Sequence, residues 1–177
     1  MQAAATVFAR KGYHGARMDD VVAEAGSSKG ALYWYFKSKE ELAVALVHQM
    51  LEGQEQAARA LMESEAPPME RLERLARGFA QDLVKTPPLA TLSLELLSLA
   101  PHIPEIKECF ARHHERFAGQ LRALLRQAKG EGDAVSIDST ALALAAMVGG
   151  LVMHWTLSPE GFDLEEQLWR AVGAIVR

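Results

Sequence analysis

Residues 26–39 read GSSKGALYWYFKSK, and Tyr33, Trp34, Tyr35 and Phe36 stand in succession there, in a chain with only 7% aromatic residues. Lys29, Lys37 and Lys39 share the segment with no carboxylate. On a helix, Leu32 and Phe36 are four residues apart and lie on one face. Consecutive rings cannot all be buried on that face, so Lys29, Ala31, Tyr33, Trp34 and Tyr35 are left on or near the outer surface. Tyrosine and tryptophan can donate hydrogen bonds to phosphate, and lysine neutralises it. The small Gly30 and Ala31 would let the helix N-terminus approach base edges and a thymine methyl. Ser28 can cap that helix, whose free N–H groups also favour a phosphate. A core of a small helical bundle is the plainer use of such rings. Their succession in a lysine-rich segment favours contact with DNA.

Charge along the chain agrees. Residues 1–39 hold six basic side chains against three acidic ones, whereas the remainder holds thirteen against twenty. A net charge of −4 therefore hides a basic module joined to an acidic body. At 177 residues the chain fits one or two domains. Its single cysteine, Cys109, excludes an internal disulfide framework and suits a cytoplasmic protein. The longest uncharged apolar stretch, Ala141 to Met153, falls short of a membrane span of about 20 residues. No basic-then-apolar leader opens the chain.

The apolar spacing is helical nearly throughout, with Pro and Gly between the periodic segments, which predicts an all-α protein of about nine helices. The first runs to about Arg10, and two short ones follow near 18–25 and 28–35, joined by a turn at Gly26. A long fourth opens on a capping box, Ser38-x-x-Glu41. The fifth carries Met69, Leu72, Ala76, Phe79 and Leu83, and the sixth lies near 88–100. The seventh carries Ile106, Phe110, His113, Phe117, Leu121 and Leu124. Gly130 and Gly132 precede an eighth from about Ile137 to Leu157. A second capping box at Asp163 and Glu166 opens a ninth, with Leu164, Leu168, Val172 and Ile175 on one face.

Residues 3–42 resemble the DNA-binding domain of the TetR family of transcriptional repressors. The likeness rests on Phe8, Lys11-Gly12-Tyr13, Val21-Val22-x-x-Ala25-Gly26, Ser28-Lys29-Gly30-x-Leu32-Tyr33-x-x-Phe36 and Ser38-Lys39-Glu40-Glu41-Leu42. The resemblance implies a helix-turn-helix domain over 1–45 and a helical regulatory and dimerisation domain over 46–177. It puts Lys29, Gly30, Ala31 and Tyr33 near bases, and Tyr33, Tyr35 and Lys39 on phosphates, with Trp34 beside them. The family's usual Thr-Ser/Thr before the second helix is Ala16-Arg17 here, and Arg17 can reach a phosphate from that place. Ser27, Ala31 and Tyr35 also depart from the common residues, which leaves the operator sequence open.

The eighth helix is apolar almost all round and needs cover on two sides. Gly149 and Gly150 permit close backbone approach. We expect one side to face the chain's own core. The other, with Val152 and Met153, joins Leu164, Leu168, Trp169, Val172 and Ile175 of the ninth helix in a homodimer seam, which the resemblance also implies. Half-sites would then lie about one helical turn, roughly 34–36 Å, or somewhat more apart on a near-palindromic operator. Phe79, Leu83, Leu92, Leu96, Phe110, His113, Phe117, Met147, Leu151, His154 and Trp155 are candidate lining for an effector cavity. Their spacing alone equally describes a packed core. The resemblance implies the cavity, and the apolar set suits a small hydrophobic effector such as an acyl or aromatic compound. Cys109 and His113 are too few ligands for a metal, and no cofactor motif is present. No nucleophile–base pair, phosphate-binding glycine loop or HExxH supports catalysis. Two other readings are a DNA-binding dimer without an inducer and, more remotely, a helical enzyme using His113 or His154 as a base.

Overall fold

The computed structural model describes residues 1–129 and 134–176. Among these it contains nine α-helices and no strand: α1 (Gln2–Gly15), α2 (Met18–Ala25), α3 (Lys29–Tyr35), α4 (Lys39–Met62), α5 (Pro68–Lys85), α6 (Pro87–Ser98), α7 (Pro104–Lys129), α8 (Ala134–Leu157) and α9 (Leu164–Val176). The all-α class and the helix count agree with the sequence reading. The break at Gly130 and Gly132 falls outside the described residues.

Local chemistry accounts for several boundaries. Gly26 takes a left-handed φ of 58° and ends α2, which a residue with a side chain adopts reluctantly. Ser28 caps α3, its Oγ accepting from the Ala31 N–H at 3.1 Å. Ser38 Oγ accepts from the Glu41 N–H at 3.0 Å at the head of α4. The return arm of that predicted box differs, because Glu41 Oε2 accepts from the Lys37 N–H at 2.6 Å. Asp163 caps α9 by accepting from the Glu166 N–H at 3.1 Å. The first helix continues past Arg10 to Gly15, across a kink at Gly12 where φ is 71°.

The chain divides into two compact units. The first comprises Met1–Glu52 and Pro87–Ala111. Its core packs Val7 and Phe8 of α1 and Val21 of α2 with Leu42, Leu46 and Val47 of α4, Leu92 and Leu96 of α6, and Ile106 and Cys109 of α7. Leu32 and Phe36 pack against this core half-buried, as their shared face requires. Thus α6, distant in sequence, shares a core with the three N-terminal helices.

The second unit comprises Gly53–Thr86 and Arg112–Arg177. Its core joins Leu72 of α5, Leu121, Leu124 and Leu125 of α7, Ile137, Ala141 and Leu144 of α8, and Val172 and Val176 of α9. Arg77 of α5 ties α9 down through Glu165 at 3.1 Å and Glu166 at 3.6 Å. Over Ser136–Leu157, α8 is long and apolar enough, by length and composition alone, to cross a membrane. The uncharged run Ala141 to Met153 is shorter than this stretch, which includes Asp138 near its start. Within its unit α8 buries Ile137, Ala141, Leu144, Val152 and Trp155 on one side only.

Candidate functional site

Helices α2 and α3 form the helix-turn-helix, and α3 buries none of its own residues completely. Tyr33 is exposed, Trp34 is 72% exposed and Tyr35 67% exposed. Trp34 and Tyr35 meet edge to face with ring centroids 4.6 Å apart. The two rings thus brace each other while both stay largely exposed. Gly30 and Ala31, also exposed, lie on the first turn with nothing within 4 Å of a Cβ built on Gly30. The structure therefore brings Ser28, Lys29, Gly30, Ala31, Tyr33, Trp34 and Tyr35 together on one exposed short helix with a capped N-terminus. A phosphate, a base edge and flat rings at sugar level can all be met there.

Charge on this surface is more balanced than composition suggests. Lys29 Nζ lies 2.8 Å from Asp19, Lys11 Nζ 2.7 Å from Asp20, and Arg10 3.2 Å from Glu24. The hydrogen bond from Lys29 to Asp19, and then their attraction, raise the lysine above its ordinary pKa. Hydrogen bonds from the Lys11 amine and the Arg17 N–H hold Asp20 below the usual carboxylate range. Asp20 Oδ2 accepts that Arg17 N–H at 2.9 Å, which supplies the return arm of a capping box at the start of α2. The exposed Arg17 side chain stays available beside it.

Lys39 is held by backbone carbonyls. Its amine donates to the carbonyls of Tyr13 at 2.7 Å, Ala16 at 3.0 Å and His14 at 3.3 Å, and lies over the Tyr13 ring. An ammonium has three protons, so these bonds use all of them. In this structure Lys39 closes the base of the helix-turn-helix.

The expected dimer set separates in two. Val152, Leu164, Leu168 and Val172 are buried within their own chain, where α9 packs its apolar face on α5 and α8. Trp169 and Ile175 are half-buried against the same core, and Gly150 is half-buried. Gly149 and Met153 remain exposed and fall in one stripe with Leu142, Ala146 and Leu157. Leu142 is 69% and Leu157 77% exposed, and neither belongs to the expected dimer set. Spacings of three and four residues put that stripe on a single face of α8.

The expected cavity set is likewise divided. Leu92 and Leu96 are fully buried in the first unit's core, against which Phe110 packs half-buried. In the second unit Leu83 and Trp155 are buried, and Phe79, Phe117, Met147 and Leu151 half-buried. His154 is exposed and leaves the lining set. The second unit instead has an open groove of about 380 Å³ lined by Glu55, Arg59 and Met62 of α4 with Arg116, Gly119, Gln120 and Ala123 of α7. Arg116 lies 2.5 Å from Glu55, and His113 Nδ1 lies 3.6 Å from the same carboxylate. His113 stacks parallel on Phe117 with centroids 6.4 Å apart. Burial first, and then His114, lower the His113 pKa, against an opposing pull from Glu55. In the first unit Cys109 Sγ meets His48 Nε2 at 3.1 Å. Among the described residues no group of three or more His, Cys, Asp or Glu is placed to hold a metal ion.

Residues 1–46 match the family model for bacterial regulatory proteins of the tetR family. Residues 68–177 match that for the BetI-type transcriptional repressor C-terminal region. The chain belongs to the TetR family of transcriptional regulators. The HTH-type transcriptional regulator TtgR of Pseudomonas putida is 29% identical over 178 residues, covering 93% of this chain and 81% of that protein. The TetR-family regulator PfmR of Thermus thermophilus is 27% identical with a TM-score of 0.69, covering 99% of this chain and 96% of that one. FadR of Bacillus subtilis, solved in complex with stearoyl-CoA, shares the fold at 21% identity and a TM-score of 0.78, covering 99% of this chain and 95% of that one. As in other TetR-family members, the helix-turn-helix of this regulator is N-terminal and the remainder helical.

Proposed function

We propose that this TetR-family regulator is a cytoplasmic, ligand-responsive repressor that binds a near-palindromic operator as a homodimer. A small hydrophobic effector, an acyl or aromatic compound, releases it. In this reading residues 1–45 contact DNA and residues 46–177 dimerise and take the effector. The observation that carries it is the outward face of α3, where Tyr33, Trp34 and Tyr35 stand exposed beside Lys29 behind a Ser28 cap. Rings of this size left in water lower solubility unless a partner covers them. Ser28, Lys29, Gly30, Ala31, Tyr33, Trp34, Tyr35 and Arg17 make up the contact surface.

A single α3 reads too few base pairs for a stable, specific complex, so a second copy is needed. The bare α8 stripe of Leu142, Ala146, Gly149, Met153 and Leu157 supports pairing through that helix. An acyl effector is supported by the fold shared with FadR and the stearoyl-CoA of its complex. The test is selection of duplexes from a random-sequence pool, followed by competition with acyl-CoAs and aromatic acids. Recovery of a near-palindrome, released by one of these compounds, is the expected result. Enrichment of no sequence over random DNA would overturn the reading.

A further inference from the structure

Gly12 breaks α1 with φ 71° and ψ 160°, a conformation that glycine tolerates. Such a break removes helical partners from the groups that follow it, and those groups need others. The Tyr13 N–H donates to Glu95 Oε1 of α6 at 2.6 Å. A Cβ on residue 12 would lie 3.0 Å from that same oxygen, so glycine serves both the backbone angle and the room for the carboxylate. On the acceptor side, the carbonyls of Tyr13, His14 and Ala16 take the Lys39 amine. A carboxylate thus fills the donor freed by the kink, and an ammonium fills carbonyls left open in the last turn, where α1 ends.

That turn is where the helix-turn-helix stands. Ala16 ends it, Arg17 opens α2, α3 follows, and Lys39 begins α4. Lys39 is local to the DNA-binding helices, but Glu95 is not. It lies within the residues that match the BetI-type C-terminal model, outside the tetR match over 1–46. We propose that Glu95 is a positioning residue for DNA binding. It touches no nucleic acid, and it fixes the last turn of α1 and thereby the orientation in which α2 and α3 meet the duplex. The proposal rests on the DNA-binding reading above.

The experiment compares the full-length wild type with Glu95→Ala and Glu95→Gln on a duplex that the wild type selects from a random pool. Affinity, salt dependence, the unfolded fraction and the exchange rate of the Tyr13 amide are measured. Glu95→Ala should bind about tenfold more weakly, the worth of one charge-assisted hydrogen bond. Its salt slope should stay at the wild-type value, because no phosphate contact is lost. The Tyr13 amide should exchange faster in this variant. Glu95→Gln, which keeps an oxygen to accept that N–H, should recover most of the affinity. Wild-type affinity in Glu95→Ala would overturn the proposal, as would a loss that vanishes after correction for unfolded protein. A wild type that selects no duplex would instead sink the DNA-binding reading beneath it.

Discussion

The Lys39 amine lies 3.0 Å from the carbonyl oxygen of Ala16, so the first residue of α4 is bonded to the residue that ends α1. The twenty-odd residues between them are closed into a loop at its base, and that loop contains both helices of the DNA-binding motif. Lys39→Met keeps the aliphatic stem and orphans three carbonyls. It should cost about 2 kcal/mol of stability in urea unfolding. Lys37→Ala should leave stability alone. If Lys39→Met unfolds like the wild type yet binds DNA with a flatter salt dependence, the amine contacts phosphate after all.

Asp19 masks the lysine at the start of the recognition helix from 2.8 Å away. Asp19→Asn removes the mask and a like charge facing phosphate. Binding to duplex DNA should tighten at low salt, and the salt slope should steepen by about one phosphate contact. Titrations across a salt series read this directly, and an unchanged slope would mean that Asp19 does not mask Lys29 in the complex.

In the proposed homodimer the α8 stripe serves pairing and not folding. Leu142→Glu places a charge on a residue that one chain leaves exposed, so helicity should persist while sedimentation shows a monomer. Leu168→Glu puts the same charge into the core and should destabilise the fold by more than about 3 kcal/mol. A Leu142→Glu dimer would move the seam elsewhere.

His113 sets an acid-side limit on stability. Its pKa is held below the ordinary 6.5, chiefly by burial. The unfolded chain therefore takes up this proton first as pH falls, and stability contributed by the neutral form is lost below about 6.5. Urea midpoints should decline from pH 7 to pH 5, and His113→Gln should flatten the decline. An equal decline in both would assign it to other groups.

Much of the site was legible because its signals are local. Ser28 and Gly26 mark turn and cap within a few residues, and Leu32 with Phe36 fixes the inward face of α3. From these the exposure of Tyr33, Trp34 and Tyr35 follows. The exposed stripe of α8 was not legible, because α8 is apolar on nearly every side and periodicity then names no direction. The groove between α4 and α7 also escaped, since Arg59 and Arg116 read as ordinary solvated charges until Glu55 is seen opposite Arg116.

Helix positions, the turn at Gly26 and the composition of the recognition face come from short-range backbone chemistry, and the amino-acid order alone specifies them. The jobs of Lys39 and Glu95 do not. Glu95 reaches the N–H beside the kink at Gly12, 82 positions away, and Lys39 reaches carbonyls left open where α1 ends. Hydrogen-bond partners across such a distance are set by which helices share a core, and only the packed fold brings α6 beside α1.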